Sequence, residues 1–159
     1  MSQIEIDPGS FRDPAGQIFS YNNKILRILE NEGKSRFDFL KKNNLLENCI
    51  SKDFLIQSNE LTDNNLILDK FKNKTILEHK KLDYISYPYE WSFEQLKNAA
   101  IHHLNFHIYL LSNNATLLDA SAFNIQYSGY KPIFIDILSI KQYEDGEYWK
   151  AHSNFVKIF

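Results

Sequence analysis

One segment carries most of the structural information in this chain: residues 117–136 read LLDASAFNIQYSGYKPIFID. The pattern predicts a loop, a short strand, a glycine-containing turn and a second strand that ends on an acid. Antiparallel pairing places the start of the first strand opposite the end of the second. Asn124 and Asp136 are therefore expected at the same end of a hairpin, with Asp119 just upstream.

This polar cluster has two interpretations. Two carboxylates and an amide supply the oxygen ligands that Mg²⁺ takes in proteins, and a carboxylate accepts a proton from a hydroxyl group. Alternatively, Asp119, Asn124 and Asp136 are loop and cap residues, because Asp and Asn form local hydrogen bonds in turns. The residue pattern leaves both interpretations open.

A long helix is predicted over residues 93–112, directly before this segment. Pro88 favours an extended linker, because the residue before a proline avoids the helical region. Ser92 and Gln95 have the spacing of a capping box at the start of the helix. Apolar spacings of three and four predict that the helix buries Phe93, Leu96, Ala100, Leu104, Ile108 and Leu111.

Three reactive side chains are interpreted as chemically silent. His103 and His107 stand one helical turn apart, but the pair lacks the intervening Glu of a metalloprotease helix. We therefore predict that both lie on the helix surface. Cys49 is the single cysteine and has no catalytic partner in the sequence pattern, so an inert thiol is expected.

The first half of the chain has weaker signals. Residues 11–21 predict a hairpin whose turn is Asp13–Gly16. Asn22 or Asn23 is expected to cap a helix that starts at Lys24 and stops near Gly33. The remaining elements are a helix over 35–46, a strand near 54–56 and strands within 75–86.

These elements predict an α+β protein of two parts. Residues 1–87 are expected to form a small lobe of hairpin, helices and strands. Residues 88–159 are expected to form a helical lobe that holds the loop and hairpin described above.

Composition excludes several classes of protein. The 159 residues carry 18 Lys and Arg against 20 Asp and Glu, so no global basic field attracts nucleic acid. One cysteine excludes an internal disulfide framework. No secretory leader and no apolar run long enough to cross a bilayer is present. We predict a cytoplasmic protein that contacts neither membrane nor nucleic acid.

The spacing Asp119-x-x-x-x-Asn124, followed by a hairpin and Asp136, resembles the catalytic loop and metal-binding strand of kinase-fold phosphotransferases. This resemblance implies that Asp119 is the catalytic base and that Asn124 and Asp136 hold a metal on a nucleotide. It also implies a partial protein-kinase-like fold. Leu117 stands where that family has a histidine, the five glycines never cluster over a phosphate, and no lysine is predicted on a third strand.

A second resemblance covers nearly the whole chain. It rests on residues 85–100, 118–127, 132–136 and 143–149, which look like the N-terminal region of a bacterial family of class I SAM-dependent methyltransferases, some of them nodulation-protein-like. It implies that the SAM-binding domain follows this region. The amphipathic terminal segment Tyr148–Phe159 is still apolar at its last residues, so a truncated chain is expected.

Three functions follow from these patterns. The first is a kinase-like N-terminal module of a SAM-dependent methyltransferase, which recognises a small-molecule substrate or a downstream methyltransferase domain and is not catalytic alone. The second is a phosphotransferase that uses Mg²⁺ and ATP. The third is a non-catalytic interaction domain. The cofactor is left open between Mg²⁺ with a nucleotide and, only where a downstream domain exists, SAM.

Overall fold

A computed structural model describes residues 4–6, 10, 13–61, 71 and 74–159. The described residues group into two compact units. The first consists of the described residues up to Asp38 and of Gln57–Lys81, and the second of Phe39–Ile56 and Leu82–Phe159. Residues 39–56 thus belong with the second unit, whereas the sequence placed them in the first lobe. The two-lobe boundary after residue 87 stays a prediction.

The elements make this an α+β protein. The strands of the first unit are β1 (Glu5–Ile6), β2 (Gly16–Tyr21), β3 (Lys24–Leu29), β4 (Ser58–Glu60) and β5 (Ile76–His79). The helices are α1 (Asn31–Lys42), α2 (Leu45–Ser51), α3 (Phe93–Leu111) and α4 (His152–Val156). The second unit adds the short strands β6 (Ala115–Leu117), β7 (Ile125–Ser128), β8 (Lys131–Phe134) and β9 (Ile140–Gln142).

The first unit is an antiparallel sheet with the strand order β1-β2-β3-β5-β4. Its central hairpin joins β2 to β3 through Asn22 and Asn23, whose φ angles are 49° and 63°. Asparagine tolerates this left-handed region, which a two-residue hairpin turn requires. Buried apolar side chains from three strands form its core, namely Phe19, Leu26, Ile28 and Ile76.

The predicted helix from Lys24 is wrong, because residues 24–29 form strand β3. The six residues are too few for apolar periodicity to separate a helix from a strand that is buried on both faces. The hairpin predicted over 11–21 is also wrong in its pairing. Residues 11 and 12 lie outside the described residues, and β2 pairs with β1 and β3 instead.

Three further predictions are corrected in detail. The helix expected over 35–46 is α1 followed by α2, because Asn44 interrupts it with a φ of 52°. The strand expected near 54–56 is an isolated parallel bridge between Leu55 and Phe134. Of residues 75–86, only β5 is a strand.

Helix α3 begins as its capping box predicts. The Ser92 hydroxyl oxygen accepts a hydrogen bond from the Gln95 backbone N–H at 3.3 Å, and the Gln95 side chain accepts one from the Ser92 N–H at 3.0 Å. These reciprocal bonds satisfy two backbone donors that a helix start leaves free.

We expect Ser92→Ala to lower the free energy of unfolding by about 1 kcal/mol, which is the usual cost of removing such a cap. Urea denaturation should show a lower midpoint with an unchanged slope. Ser128→Ala is the matched control, because Ser128 is exposed at the end of β7. Equal losses in the two variants would contradict a specific role for the cap.

The buried face of α3 was predicted wrongly. The buried residues of the helix are Ala99, His103, Phe106, His107 and Leu110. Phe93 and Ile108, which were predicted to be buried, are 76% and 62% exposed. The helix is apolar on two sides. Its buried side packs against Phe134, whose ring lies 5.2 Å from His103 and 5.3 Å from Phe106 between centroids, and Phe54 lies 5.4 Å from the same Phe106 ring. His103 and His107 are therefore core residues and not a surface pair.

The predicted hairpin after α3 is present. Strand β7 pairs with β8 in antiparallel register, with Ile125 opposite Phe134, and Gly129 makes the turn with a φ of 64°. Strand β6 pairs with β9, with Leu117 opposite Ile140. Across the described ranges, no helix has the length and apolar character needed to cross a membrane.

Candidate functional site

The hairpin brings Asn124 and Asp136 to the same end, as the sequence pattern predicts. The backbone N–H of Ile135 donates to the carbonyl oxygen of Asn124 at 2.9 Å, one residue before Asp136. Asn124 ends a short 3₁₀ turn, Ala122–Asn124, and Asp136 precedes another, Ile137–Ser139. Both side chains are half-buried.

Two hydrogen bonds connect Leu118, the residue before Asp119, to this hairpin end. The backbone N–H of Leu118 donates to the carbonyl oxygen of Ser139 at 2.8 Å. The hydroxyl of Ser139 in turn donates to the carboxylate of Asp136. The pairing of β6 with β9 stabilises this connection, because the last paired residue of β6 is Leu117, directly before Leu118. The structure thus places all three predicted site residues on adjoining loops of the second unit.

The carboxylate of Asp119 is held in place by two donors. Its Oδ1 atom accepts from the backbone N–H of Ser121 and from Nδ2 of Asn154, each at 2.9 Å. The first bond is a local Asp turn, and the second comes from α4. Asn154 was not identified from the sequence, because no motif connects it to a loop 35 residues away.

Asn124 has an unsatisfied side chain. Its Nδ2 atom is buried and has no hydrogen-bond partner in the part of the chain that the structure describes. Both backbone polar groups of Asn124 are hydrogen-bonded, since its N–H donates to the Ser121 carbonyl oxygen at 3.0 Å and its carbonyl oxygen accepts from the Ile135 N–H. A buried donor without a partner costs about 1–3 kcal/mol. The amide therefore favours an additional polar group, either an acceptor beside Nδ2 or, after rotation of the amide, a cation beside Oδ1.

Asn124 and Asp136 are the candidate metal ligands at this hairpin end. Within the described ranges, no group of three or more His, Cys, Asp or Glu side chains is arranged to hold a metal. Asn124 and Asp136 would supply two oxygen ligands, and Mg²⁺ usually keeps several waters when it binds to one or two carboxylates. The roles of Asp119, Asn124 and Asp136 as base and ligands stay predictions.

Two buried histidines lie on α3, and the ring of one of them, His103, contacts Phe134 of the hairpin. Burial, with smaller contributions from His102 and His107, lowers the pKa of His103 from its ordinary value of 6.5 to about 3. Burial also lowers the pKa of His107, whose Nε2 lies 3.0 Å from the Thr116 hydroxyl. His103 is therefore neutral at physiological pH, and the lowered pKa of His107 favours its neutral form.

Sequence reasoning also missed a buried arginine in the first unit. Arg27 lies in the middle of β3, and its guanidinium forms an ion pair with Asp13 at 3.4 Å. Asp13 also accepts a hydrogen bond from the Ala15 N–H at 2.9 Å. The erroneous helix prediction for residues 24–33 hid strand β3, in which this arginine lies.

Comparison with known proteins adds one relative. No family model matches the chain. It is 37% identical over 151 residues to "Nodulation protein NoeA" of Rhizobium meliloti (strain 1021). The match covers 95% of this chain and 31% of the relative, so the chain spans about a third of that protein's length. The similarity agrees with the nodulation-protein-like resemblance and is consistent with a portion of a larger protein.

Proposed function

We propose that this chain is a kinase-like recognition module of a longer methyltransferase-type protein and has no catalytic turnover of its own. The observation that carries this proposal is the state of Asp119. A catalytic base must reach the proton that it accepts. In the folded chain, Oδ1 of Asp119 accepts hydrogen bonds from Ser121 and Asn154, and the Asp136 carboxylate accepts one from Ser139, so these oxygens hold the loops in place.

The architecture supports the kinase-like part of the proposal. One unit is an antiparallel sheet, and the other carries a long helix, a loop, a hairpin and an acid in the order that the resemblance implies. Two departures favour recognition over phosphoryl transfer. The glycines do not cluster. The third strand carries Arg27, which pairs with Asp13, where kinases place a lysine.

The relative supports the place of this module in a larger protein. In that interpretation, the SAM-binding domain lies in the part of the polypeptide that this chain does not span. The module then presents a small-molecule substrate to that domain or docks against it. From the name of the relative, we extend the proposal to a protein that acts in nodulation.

A second function is favoured by one observation: among the described residues, Nδ2 of Asn124 has no hydrogen-bond partner, and Asn124 lies at the same hairpin end as Asp136. A nucleotide phosphate would accept a hydrogen bond from Nδ2, and after rotation of the amide Oδ1 would bind the Mg²⁺ ion. In that case the protein is a phosphotransferase for a small molecule, with Asp119 as the base and Asn124 and Asp136 on the metal. Bound Mg²⁺ would neutralise phosphate charge during the transfer.

A thermal melt separates the two functions. The chain is heated alone, with Mg-ATP, with ATP and a chelator, and with SAM. A ligand at about 100 times its dissociation constant adds about 2.7 kcal/mol, which raises the midpoint by about 5–10 °C for a chain of this size. The recognition module is expected to melt within about 1 °C of the same midpoint in all four samples.

Two variants make this experiment decisive. Asp136→Asn removes the charge that a metal needs, and Asp145→Asn removes the charge of an exposed acid in a turn. A rise with Mg-ATP that is lost in chelator and in Asp136→Asn, but kept in Asp145→Asn, would replace the recognition module by the phosphotransferase. A rise with SAM would place the SAM site within this chain and contradict the module as proposed.

A further inference from the structure

One side of α3 carries exposed apolar side chains. It consists of the exposed residues Phe93, Ile101, Leu104, Ile108 and Leu111, which we call the α3 stripe. The opposite side of the same helix packs in the core through His103, Phe106 and Leu110. A row of exposed apolar side chains on a helix of a folded protein marks a contact with another surface.

The spacing of the stripe indicates what kind of surface it fits. The last four residues of the stripe follow one another at intervals of three, four and three, so they form one row along the helix. Rows of this kind fit into the grooves of another helix. Between Asn98 and Ser112 the helix has no acidic residue, no lysine and no arginine. This part of the surface therefore has no acidic, lysine or arginine side chain for water to hydrate, and it suits an uncharged apolar partner.

We propose that the α3 stripe is the docking surface for an apolar helix from the remainder of a longer polypeptide. The relative is 37% identical across 95% of this chain, yet that match uses only 31% of its length. A polypeptide of that kind holds ample further sequence to cover the stripe. The inference rests on the proposed module within a longer protein and is independent of any nucleotide site.

Cysteine reactivity tests whether the stripe is covered. Leu104→Cys is made in this chain, and a cysteine is placed at the aligned position of the intact nodulation protein NoeA. Asn98→Cys, on an exposed polar position of α3, is the matched control in both proteins. The native Cys49 adds little background, because burial raises its pKa to about 12 and reaction requires the thiolate. The unsubstituted parent gives the background in the relative.

In this chain, the cysteine at position 104 is expected to react with an aromatic disulfide reagent at a rate within about threefold of the control. In the intact relative, the aligned cysteine is expected to react about 100-fold more slowly than its control, because a covered thiol reacts only after local opening. Ile108→Cys repeats the measurement at a second position of the stripe.

Equal rates at the stripe and control positions of the intact relative would overturn the inference. It would also be overturned if this chain sediments as a dimer at micromolar concentration and Leu104→Glu makes it a monomer. The stripe would then belong to a second copy. Neither result bears on nucleotide or SAM binding, which the thermal melt reports separately, so a failure of the docking inference is distinguishable from a failure of the proposed module.

Discussion

Replacing His103 by leucine is expected to stabilise the protein at pH 7 and to reduce its sensitivity to acid. The side chain is fully buried, and neither ring nitrogen has a hydrogen-bond partner among the described residues. Each such group costs about 1–3 kcal/mol. Leucine fills a similar volume without polar atoms, so we expect a gain of about 1–3 kcal/mol in the free energy of unfolding at pH 7.

The direction of the acid effect follows from the lowered pKa. The folded protein keeps His103 neutral down to a pKa of about 3, whereas the unfolded chain takes up a proton near 6.5. Stability is therefore complete above pH 6.5 and falls as the pH drops towards 3. The loss due to His103 at pH 5 is about 2 kcal/mol. Burial lowers the pKa values of His102 and His107 as well, so their contributions have the same sign.

Urea denaturation of the parent and His103→Leu at pH 5, 6, 7 and 8 measures both effects. The difference in unfolding free energy between the variants should grow by about 2 kcal/mol from pH 8 to pH 5. His152→Gln is the matched control, because its side chain is exposed. If His103→Leu instead destabilises the protein by more than about 1 kcal/mol at pH 7, the ring nitrogens have partners and the explanation is wrong.

Phe134→Ala is expected to have the largest destabilising effect, about 3–5 kcal/mol. The Phe134 ring is fully buried and contacts His103 and Phe106. Its backbone also joins the hairpin to the segment after α2, since its N–H donates to Phe54 at 3.0 Å and its carbonyl accepts from Ile56 at 2.9 Å. Loss of the ring leaves a cavity at the point where these elements meet.

The measurement combines urea denaturation with hydrogen exchange of the Ile135 amide. That amide donates to Asn124, so its exchange reports whether the two site residues stay together. We expect faster exchange at Ile135 in Phe134→Ala. Phe123→Ala, which removes a half-exposed ring from the loop beside the site, should cost much less. Similar losses for both phenylalanines would contradict a special position for Phe134.

The elements that the sequence predicted correctly are those with local signals. The capping box at Ser92 and Gln95 involves residues three apart, and the turn at Gly129 involves neighbours. The placement of Asn124 and Asp136 at one hairpin end follows from the same turn, because antiparallel pairing has only one register for a given loop.

The elements that were predicted wrongly depend on distant partners. Helix α3 has apolar residues on two sides, and the side that is buried depends on distant partners such as Phe54, Phe134 and Trp149. Ala99, His103, Phe106 and Leu110 also have helical spacing, so this buried side was visible in the sequence. It was not predicted, because histidine counts as a polar residue in such a pattern. Strand β3 needed β2 and β5 on either side to be distinguished from a helix. Asn154 reaches Asp119 only through the folded arrangement of α4, so no local pattern reveals it.

The bridge between Leu55 and Phe134 has a consequence for synthesis of the protein. A ribosome that adds about 5–20 residues per second completes Phe134 on the order of ten seconds after Leu55. During that interval the backbone of Phe54 and Ile56 lacks the Phe134 groups to which it bonds in the folded protein. The sheet of the first unit is different, because β1 to β5 have all been made by residue 79. We therefore expect the sheet to form during synthesis, whereas the second unit completes its folding only after the hairpin has been made.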